Sequence, residues 1–310
     1  MEGKRGTPDL AIILITIVLL GIGVVMVFSA SSVASLMEHK DPYYYLKRQL
    51  LWAALGLLGM GILSQLDYRF YRRLALPGIV MSLILLGTVL VVGPLIGGSR
   101  RWLPLGVTGF QPSELAKLCM VIFVADYCDR WRGSLRYFFT GFVPPLLVVV
   151  AVVGLILLEP DFGTGAVVFM NAMIMLFGAG ASIWHMILVV LAAVPGLLVL
   201  IIKAPYRLRR LLAFIDPWAD PLDSGWNIIQ SLLAIGSGGL FGLGLGQGRE
   251  KYLYLPEAHT DFIFAILGEE LGFLGAATVV LLFFLFAWRG LKIALGSPDF
   301  FGCMLALGIT

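Results

Sequence analysis

Long apolar runs recur along almost the whole chain, and no other feature limits its possible folds as much. About 20 residues cross the hydrocarbon core of a bilayer as a helix. The runs lie near residues 9–31, 49–65, 76–93, 114–128, 140–158, 164–181, 183–202 and 261–288, and another begins near 299. Two of them are short and are expected to extend into their flanks. The sequence therefore predicts an all-α polytopic membrane protein with about eight or nine transmembrane helices.

Composition agrees with a membrane protein and argues against other classes. Of the 310 residues, 59% are hydrophobic and 13% are charged, whereas soluble domains carry about 25% charged residues. The formal net charge of +3 is too small to indicate nucleic-acid binding. The three cysteines and three histidines are scattered, without the spacing of a disulfide framework or a metal site. We expect one membrane domain over residues 1–310.

The basic residues predict the orientation, because cytoplasmic loops are enriched in Lys and Arg. Four basic groups fall on one side of the predicted spans, at residues 4–5, 69–73, 130–136 and 289–292. A plasma-membrane protein with a cytoplasmic N-terminus has all four inside the cell. The basic pairs at 47–48 and 100–101 then lie outside, against the trend. They are either solvated surface charge or part of a groove for an anionic lipid headgroup.

The longest segment between apolar runs, residues 203–260, is predicted to be a large extracytoplasmic loop. Connections of this length are commonly functional. It begins with PYRLRRLLAFIDPWADP, an amphipathic pattern that suits the membrane interface. It ends with GSGGLFGLGLGQG, which lacks the GK[ST] of a phosphate-binding loop. We expect these glycines to serve close helix packing or a re-entrant turn.

The leading catalytic candidate is Asp261, which lies where the 261–288 run begins. One interpretation is structural, with Thr260 capping the helix and Asp261 stabilising its first turn. The other is a general base at the mouth of a membrane cavity, where a carboxylate takes a proton from a sugar or water hydroxyl. Glu257 and His259 flank it and are candidates for tuning it.

Glu269 and Glu270 lie inside the same apolar run, where acidic side chains are costly and are functional candidates by default. Along a helix Glu269 would lie about 12 Å beyond Asp261, which argues against a catalytic dyad of the two. We therefore expect Glu269 to be the buried partner of a basic residue.

A polar motif, QPSELAK at residues 111–117, opens the fourth apolar run. Ser113 is a plausible N-cap, with Glu114 in the first turn. Glu114 and Lys117 are spaced i,i+3 and are expected to pair, which makes both less costly in a membrane. The motif is either an ordinary capped helix or an ion pair that lines a cavity.

Another polar motif, EPDFGT at residues 159–164, is predicted to form a tight turn between two spans. In the predicted topology this turn lies on the same side of the membrane as Arg101, the 203–260 loop and Asp261. Polar groups from distant parts of a sequence that converge on one face are typical of a binding site.

Together these motifs resemble those of the SEDS family (shape, elongation, division and sporulation), which includes FtsW, RodA and SpoVE. The resemblance covers nearly the whole chain and is carried by GSRRWLPLG (98–106), QPSELAK (111–117), EPDFGTG (159–165), YRLRRLLAFIDPW (206–218), the Gln230-Ser231 pair and YLPEAHTDFIFAILGEELG (254–272). The last motif is closer in form to FtsW and SpoVE than to RodA.

The resemblance implies a peptidoglycan glycosyltransferase that polymerises lipid II at the outer face of the plasma membrane, in division, elongation or sporulation. It implies a class B penicillin-binding protein and other divisome or elongasome membrane proteins as partners. The catalytic Asp of the family corresponds to Asp261. The expected substrate-binding residues match family motifs or flank Asp261: Arg101, Glu114, Lys117, Asp161, Gln230, Ser231, Glu257 and His259.

In the mechanism that this implies, Asp261 deprotonates the C4 hydroxyl of an acceptor GlcNAc, whose oxygen attacks the anomeric carbon of a donor MurNAc with inversion. Arg101, Lys117 or loop arginines stabilise the undecaprenyl pyrophosphate that leaves. A divalent cation, Mg²⁺ or Mn²⁺, is an open alternative. The family has further spans and a late FISYGGSS-like motif that do not follow here, so we expect a C-terminally truncated chain.

Two other classes of function compete with the enzyme. A lipid II flippase would use Glu114, Lys117 and Glu269 as a polar track, although it needs no base at one face. A non-catalytic scaffold of the division or sporulation machinery would tolerate Asp261→Ala. Loss of polymerisation on replacing Asp261 separates the enzyme from both.

Overall fold

A computed structural model describes residues 8–96, 98–105, 108–202, 205–252 and 255–310, and these residues are mainly helical. The α-helices are α1 (Leu10–His39), α2 (Tyr44–Leu63), α3 (Ala75–Val92), α4 (Pro112–Arg130), α5 (Val143–Leu158), α6 (Phe162–Gly178), α7 (Ile183–Ile202), α8 (Pro205–Ile215), α9 (Trp226–Ser237), α10 (Ile263–Leu295) and α11 (Phe300–Ile309). A short antiparallel hairpin, β1 (Leu103–Leu105) and β2 (Thr108–Phe110), precedes α4.

Several of these helices suit a membrane by length and composition. Within the described ranges, five are long and apolar enough to span: Leu10–His39, Tyr44–Leu63, Tyr68–Val92, Phe138–Leu158 and Ile263–Leu295. Shorter apolar helices cover Phe162–Gly178, Ile183–Gly196 and Phe300–Ile309. The predicted all-α, multi-pass fold is confirmed, and the number of spans stays a prediction.

The first two helices differ from the predicted spans at their facing ends. α1 continues past residue 31 to His39, because Ser31 and Ser35 are buried rather than exposed at a helix end. It stops at Lys40, whose left-handed backbone (φ 57°) lets its N–H donate to the carbonyl of Leu36. α2 begins at Tyr44 instead of residue 49. The basic pair at 47–48 therefore lies within the start of a helix and not in a loop.

The described residues form two compact units, each with its own core. One consists of the described parts of Met1–Gln65 and Pro195–Arg289. Its buried residues come from α1, α9, the segment before α10, and α10: Met26, Ala30, Ala234, Leu255, Ala258, Ala265, Ile266, Leu267 and Val279. Four of these are alanines, and small residues allow membrane helices to approach closely, where packing rather than water exclusion holds them together.

The other unit consists of Leu66–Val194 and Gly290–Thr310, apart from residues 97, 106 and 107. Its core is larger and is built mainly on α3, α4, α5, α6 and α11, with Leu86, Val124, Val152, Ile156 and Leu176 almost fully buried. This unit holds the hairpin, QPSELAK and the EPDFGT turn, whereas the first unit holds Asp261.

The glycine-rich segment packs against a break in α10. At Gly272 the helix leaves helical geometry (φ 66°, ψ −169°), which frees backbone groups on both sides. Residues 239–244 pair with residues 269–274 through four backbone hydrogen bonds of 2.9–3.2 Å, so the freed groups find partners. A Cβ on Gly242 would lie 2.1 Å from the carbonyl oxygen of Glu270. Of the two roles expected for these glycines, close helix packing or a re-entrant turn, the structure shows close packing at Gly242.

Candidate active site

Asp261 lies at the end of a tight turn directly before α10. The carbonyl of Glu257 accepts hydrogen bonds from the backbone N–H groups of Thr260, Asp261 and Phe262, at 3.1, 3.1 and 3.4 Å. Glu257 has a left-handed backbone (φ 53°), a conformation that costs a non-glycine residue about 1–3 kcal/mol and is often found at functional sites. The turn thus holds Asp261 in one place at the cost of local strain.

The predicted capping role of Thr260 is wrong. α10 begins at Ile263, so Asp261 precedes the first turn. The Thr260 hydroxyl instead donates to the carbonyl oxygen and to Oε2 of Glu257, at 3.2 and 3.1 Å. Asp261 is exposed, and among the described residues nothing forms a hydrogen bond or ion pair with its carboxylate. Within the described residues, no contact therefore occupies the carboxylate of Asp261.

Two sets of contacts attach this turn to its unit. Leu255 and Ala258 are buried in the cluster that α1 and α10 form. The His259 ring packs on the Tyr45 ring of α2, with centroids 4.6 Å apart and planes tilted by 44°. The Tyr45 hydroxyl donates to Oε2 of Glu38 at 2.8 Å. Apolar and aromatic contacts therefore hold the turn from inside, while Asp261 stays exposed.

The two glutamates inside α10 are buried, and both are fully engaged. Glu270 accepts hydrogen bonds from Ser29 Oγ to both carboxylate oxygens at 2.7 Å, and from Gly246 N–H to Oε2 at 3.0 Å. Lys251 Nζ lies 2.7 Å from Glu270 Oε1, and both side chains are almost completely buried. The charge of Glu270 is thus neutralised within the protein.

Among the residues that the structure describes, Glu269 forms no ion pair with the basic partner predicted for it. Its oxygens accept from the backbone N–H groups of Arg249 and Glu250, at 2.6 and 3.4 Å, while the lysine pairs with the neighbouring Glu270. The sequence correctly indicated that a basic residue neutralises a buried glutamate, but assigned the wrong one of the two. The missed residues are Ser29 and Lys251, which lie far from Glu270 in sequence and carried no local signal.

In the other unit, Arg101 and Asp161 hold the EPDFGT turn. The Arg101 guanidinium donates from Nε to the carbonyl of Glu159 at 3.1 Å and from Nη2 to the carbonyl of Pro160. Asp161 caps α6 by accepting from the Thr164 N–H at 3.2 Å and hydroxyl at 2.9 Å. Gln111 Nε2 donates to Asp161 at 3.3 Å. The motifs that contain Arg101, Gln111 and Asp161 therefore meet. That they share a membrane face with Asp261 stays a prediction.

Glu159 is a site residue that the sequence reasoning missed. Its side chain is buried, and neither carboxylate oxygen has a hydrogen-bond partner in the part of the chain that the structure describes. Burial raises the pKa of this carboxyl group to about 7, and the charge of Asp161 acts in the same direction while Arg101 opposes it. Glu159 can therefore change its charge near neutral pH.

The predicted Glu114–Lys117 pair forms, with Lys117 Nζ 2.9 Å from Glu114 Oε2. Both residues line a cavity of about 240 Å³. Ser113 is not the N-cap: α4 has Gln111 at that position and Pro112 at the first, and the Ser113 hydroxyl is buried without a partner among the described residues. Proline suits the first helical position because its missing N–H is not needed there.

Gln230 and Ser231 lie on α9, where Gln230 is buried. The Ser231 hydroxyl donates to the carbonyl of Asn227 one turn earlier, at 2.6 Å. Their predicted contact with substrate stays a prediction.

Among the described residues, no three His, Cys, Asp or Glu side chains come together as a candidate metal site. A divalent cation stays an open alternative.

Comparison with known proteins places these observations in a family. The family model for the FtsW/RodA/SpoVE cell cycle proteins matches residues 10–310. Stage V sporulation protein E of Bacillus subtilis is 44% identical over 100% of this chain and 85% of its own length. A probable peptidoglycan glycosyltransferase FtsW of a Geobacter species is 40% identical over 97% of this chain and 83% of its own.

Solved structures agree with this assignment. A chain from "Structural coordination of polymerization and crosslinking by a peptidoglycan synthase complex" has a TM-score of 0.78 and 32% identity, with coverage of 97% of this chain and 82% of that one. The Thermus thermophilus rod shape determining protein RodA has a TM-score of 0.69 and 31% identity, with coverage of 97% and 80%. The chain belongs to the FtsW/RodA/SpoVE family and is of the FtsW/SpoVE type.

Proposed function

We propose that this chain is a peptidoglycan glycosyltransferase that polymerises lipid II, with Asp261 as its general base. The relatives named above include probable peptidoglycan glycosyltransferases and a chain of a peptidoglycan synthase complex. The observation that carries the role of Asp261 is its exposed carboxylate, without a partner among the described residues, on a turn strained at Glu257. A carboxylate that serves only a helix cap would be engaged by backbone N–H groups.

The reaction needs one proton acceptor and stabilisation of one leaving group. Asp261 accepts the proton of the C4 hydroxyl of the acceptor GlcNAc while that oxygen forms a bond to the anomeric carbon of the donor MurNAc. The bond from that carbon to the phosphate oxygen breaks, and its electron pair leaves with undecaprenyl pyrophosphate. Attack from the opposite face inverts the anomeric carbon. General-base catalysis of this kind contributes about 10²–10⁴-fold to a rate.

Exposed arginines in the same unit as Asp261 are suited to stabilise the pyrophosphate. Arg209, Arg210 and Arg249 are all exposed, and a guanidinium binds phosphate oxygens in a bidentate manner. Arg101 and Lys117 already have partners within the protein, although an arginine has five N–H donors and can serve a second group. Arg101, Glu114, Lys117 and Asp161 stay candidate substrate contacts.

The proposal also includes the membrane in which the chain lies and its orientation there. Basic residues at 69–73, 130–136 and 289–292 favour a cytoplasmic N-terminus in the bacterial plasma membrane. The segment 203–260 is then an extracytoplasmic loop within one membrane domain of residues 1–310. Its partners in this proposal are a class B penicillin-binding protein, which cross-links the new strands, and other divisome or elongasome membrane proteins.

The structure offers little support for a lipid II flippase. Its polar track would need Glu269, which is buried and engaged by two backbone N–H groups. Glu269 would have to lose both hydrogen bonds before it could contact a passing headgroup, which leaves only the Glu114–Lys117 pair of the expected track.

The test is lipid II polymerisation by the purified full chain with its penicillin-binding partner, wild type against Asp261→Asn. Asparagine keeps the size of the side chain and removes the base, so we expect the rate to fall by about 10²-fold or more. Asp67→Asn is the matched control, because Asp67 is exposed and an asparagine can also accept its hydrogen bond from the Arg69 N–H. It is expected to polymerise normally. Equal polymer from wild type and a folded Asp261→Asn would overturn the assignment of Asp261 as the base. No polymer from either protein would point to a flippase or a scaffold instead.

A further inference from the structure

We propose that the buried ion pair between Lys251 and Glu270, together with Ser29, is a positioning device for Asp261. The inference rests on the proposed function and extends it to Glu270 and to two residues outside the motifs, Lys251 and Ser29. Neither charged side chain reaches solvent, since both are almost completely buried. They therefore act on the reaction through the backbone that they hold and not by touching substrate.

The pair attaches the chain before the Asp261 turn to the interior of α10. Lys251 donates to Glu270 at 2.7 Å and to Ser29 at 3.1 Å, so a loop residue, α1 and α10 meet at one point. Glu270 also accepts from Gly246 N–H, while Glu269 accepts from Arg249 N–H. Two adjacent carboxylates on α10 thus fix the backbone from residue 246 to residue 251.

Glycine at position 248 makes this close approach possible. A Cβ there would lie 2.9 Å from Glu269 Oε2 and 3.1 Å from Glu270 Oε1. Any larger side chain would push the backbone away from both carboxylates and lengthen the hydrogen bonds that they accept. The loop and the two glutamates therefore fit each other as a unit.

The fixed backbone is continuous with the turn that carries Asp261. The N–H of Leu255 donates to the carbonyl of Glu250 at 3.0 Å, next to Lys251. Leu255 and Ala258 then enter the core, and the strained Glu257 orients the last turn. Because the segment after Asp261 continues directly as α10, the Asp261 turn is held to the same helix at both ends. Removing one of these attachments leaves the base free to move.

The experiment uses the full chain with its penicillin-binding partner and compares wild type, Glu270→Gln, Ser29→Ala, Asp261→Asn and the control Asp67→Asn. Hydrogen exchange measured by mass spectrometry reports on residues 246–252, and lipid II polymerisation reports on catalysis. In Glu270→Gln we expect exchange in that segment to rise about tenfold or more while α1 keeps its protection. Displacing the base by about 1 Å lowers a rate about 10²-fold, so the maximal rate should fall by about 10- to 100-fold.

A positioning role also predicts that KM for lipid II changes less than about twofold, since substrate contacts are kept. Ser29→Ala removes two hydrogen bonds without unbalancing a charge, so it should show smaller changes in the same directions and decides the matter if Glu270→Gln does not fold. Faster exchange with an undiminished maximal rate, or unchanged exchange in a folded variant, would overturn the inference. Wild-type polymerisation by Asp261→Asn would overturn the proposed function and this inference with it. An inactive Asp261→Asn beside a fully active Glu270→Gln would overturn this inference alone.

Discussion

Asp261 and Glu270 are carboxylates on neighbouring parts of one segment, yet their surroundings are opposite. Glu270 is buried and satisfied by a hydroxyl, a backbone N–H and a lysine. Asp261 is exposed and has no hydrogen-bond or ion-pair partner within the described part of the chain. An acidic residue in a membrane segment is a functional candidate by default, but only the unengaged one is available for chemistry. The engaged one is explained by holding structure in place.

Glu159 shares one property with each of these two carboxylates. It is as buried as Glu270 but has no hydrogen-bond partner among the described residues. A buried carboxylate without partners is costly when charged, so this group holds a proton up to a pH of about 7. The three carboxylates therefore differ in kind: Glu270 is engaged by partners, Asp261 is available, and Glu159 is neutralised by protonation.

The largest expected effect comes from leaving Glu270 without its lysine. Lys251→Met leaves the buried negative charge of Glu270 without its ion-pair partner and should lower the free energy of unfolding by about 3–5 kcal/mol. The double variant Lys251→Met with Glu270→Gln removes both charges and should recover most of that loss. Chemical denaturation in detergent measures both. Equal losses in the single and double variants would show that the charge balance of Glu270 does not matter.

A smaller effect is expected where the glycine-rich segment meets α10. Gly242 and Gly180 both have positive φ angles, of 83° and 94°, but a Cβ would collide with a carbonyl only at Gly242 and would meet open space at Gly180. Gly242→Ala should therefore destabilise the protein by about 1–3 kcal/mol more than Gly180→Ala. Thermal unfolding of the two variants gives the difference. Matching losses would mean that backbone strain, and not the close approach to Glu270, makes this glycine necessary.

The smallest effect depends on pH and concerns Glu159. Its folded-state pKa, about 7 against an ordinary 4.5, means that the folded state binds the proton more tightly, so stability falls as pH rises from about 4.5 to 7. Glu159→Gln cannot ionise and lacks this loss. The Tm of the variant relative to wild type should therefore rise between pH 5 and pH 8, by an amount equivalent to about 1–3 kcal/mol. A difference in Tm that is the same at both pH values would mean that Glu159 does not change charge in this range.

Much of the fold could be predicted from the sequence, because the length of an apolar run and the spacing of neighbouring residues can be read from the sequence directly. They correctly indicated the helical membrane fold and the Glu114–Lys117 pair, and close packing was one of the two roles expected of the glycines. The β1–β2 hairpin was missed because its strands have three residues each, too few for a periodic pattern. The contact between Ser29 and Glu270 was missed because it joins residues that only the tertiary fold brings together.

Helix ends were the other weak point, and the reason is again tertiary. Ser113 and Thr260 have the residue type of an N-cap, but their helices begin elsewhere: Gln111 caps α4, and α10 starts only at Ile263. The end of α1 was placed too early because buried serines look like polar helix-end residues in a sequence. The Ser31 hydroxyl is buried without a hydrogen-bond partner among the described residues, and the Ser35 hydroxyl donates to the carbonyl of Asp41. Burial of these side chains therefore depends on packing, which the residue type does not reveal.

The most direct test of the central claim is chemical rescue with formate. Asp261→Ala and Glu270→Ala are compared in lipid II polymerisation over a range of formate concentrations. An exposed general base can be replaced by a small carboxylate from solution, so the rate of Asp261→Ala should rise with formate. The rate of Glu270→Ala should not, because its site is closed to solvent. A rate for Asp261→Ala that is the same at every formate concentration, or one for Glu270→Ala that rises with formate, would contradict the account.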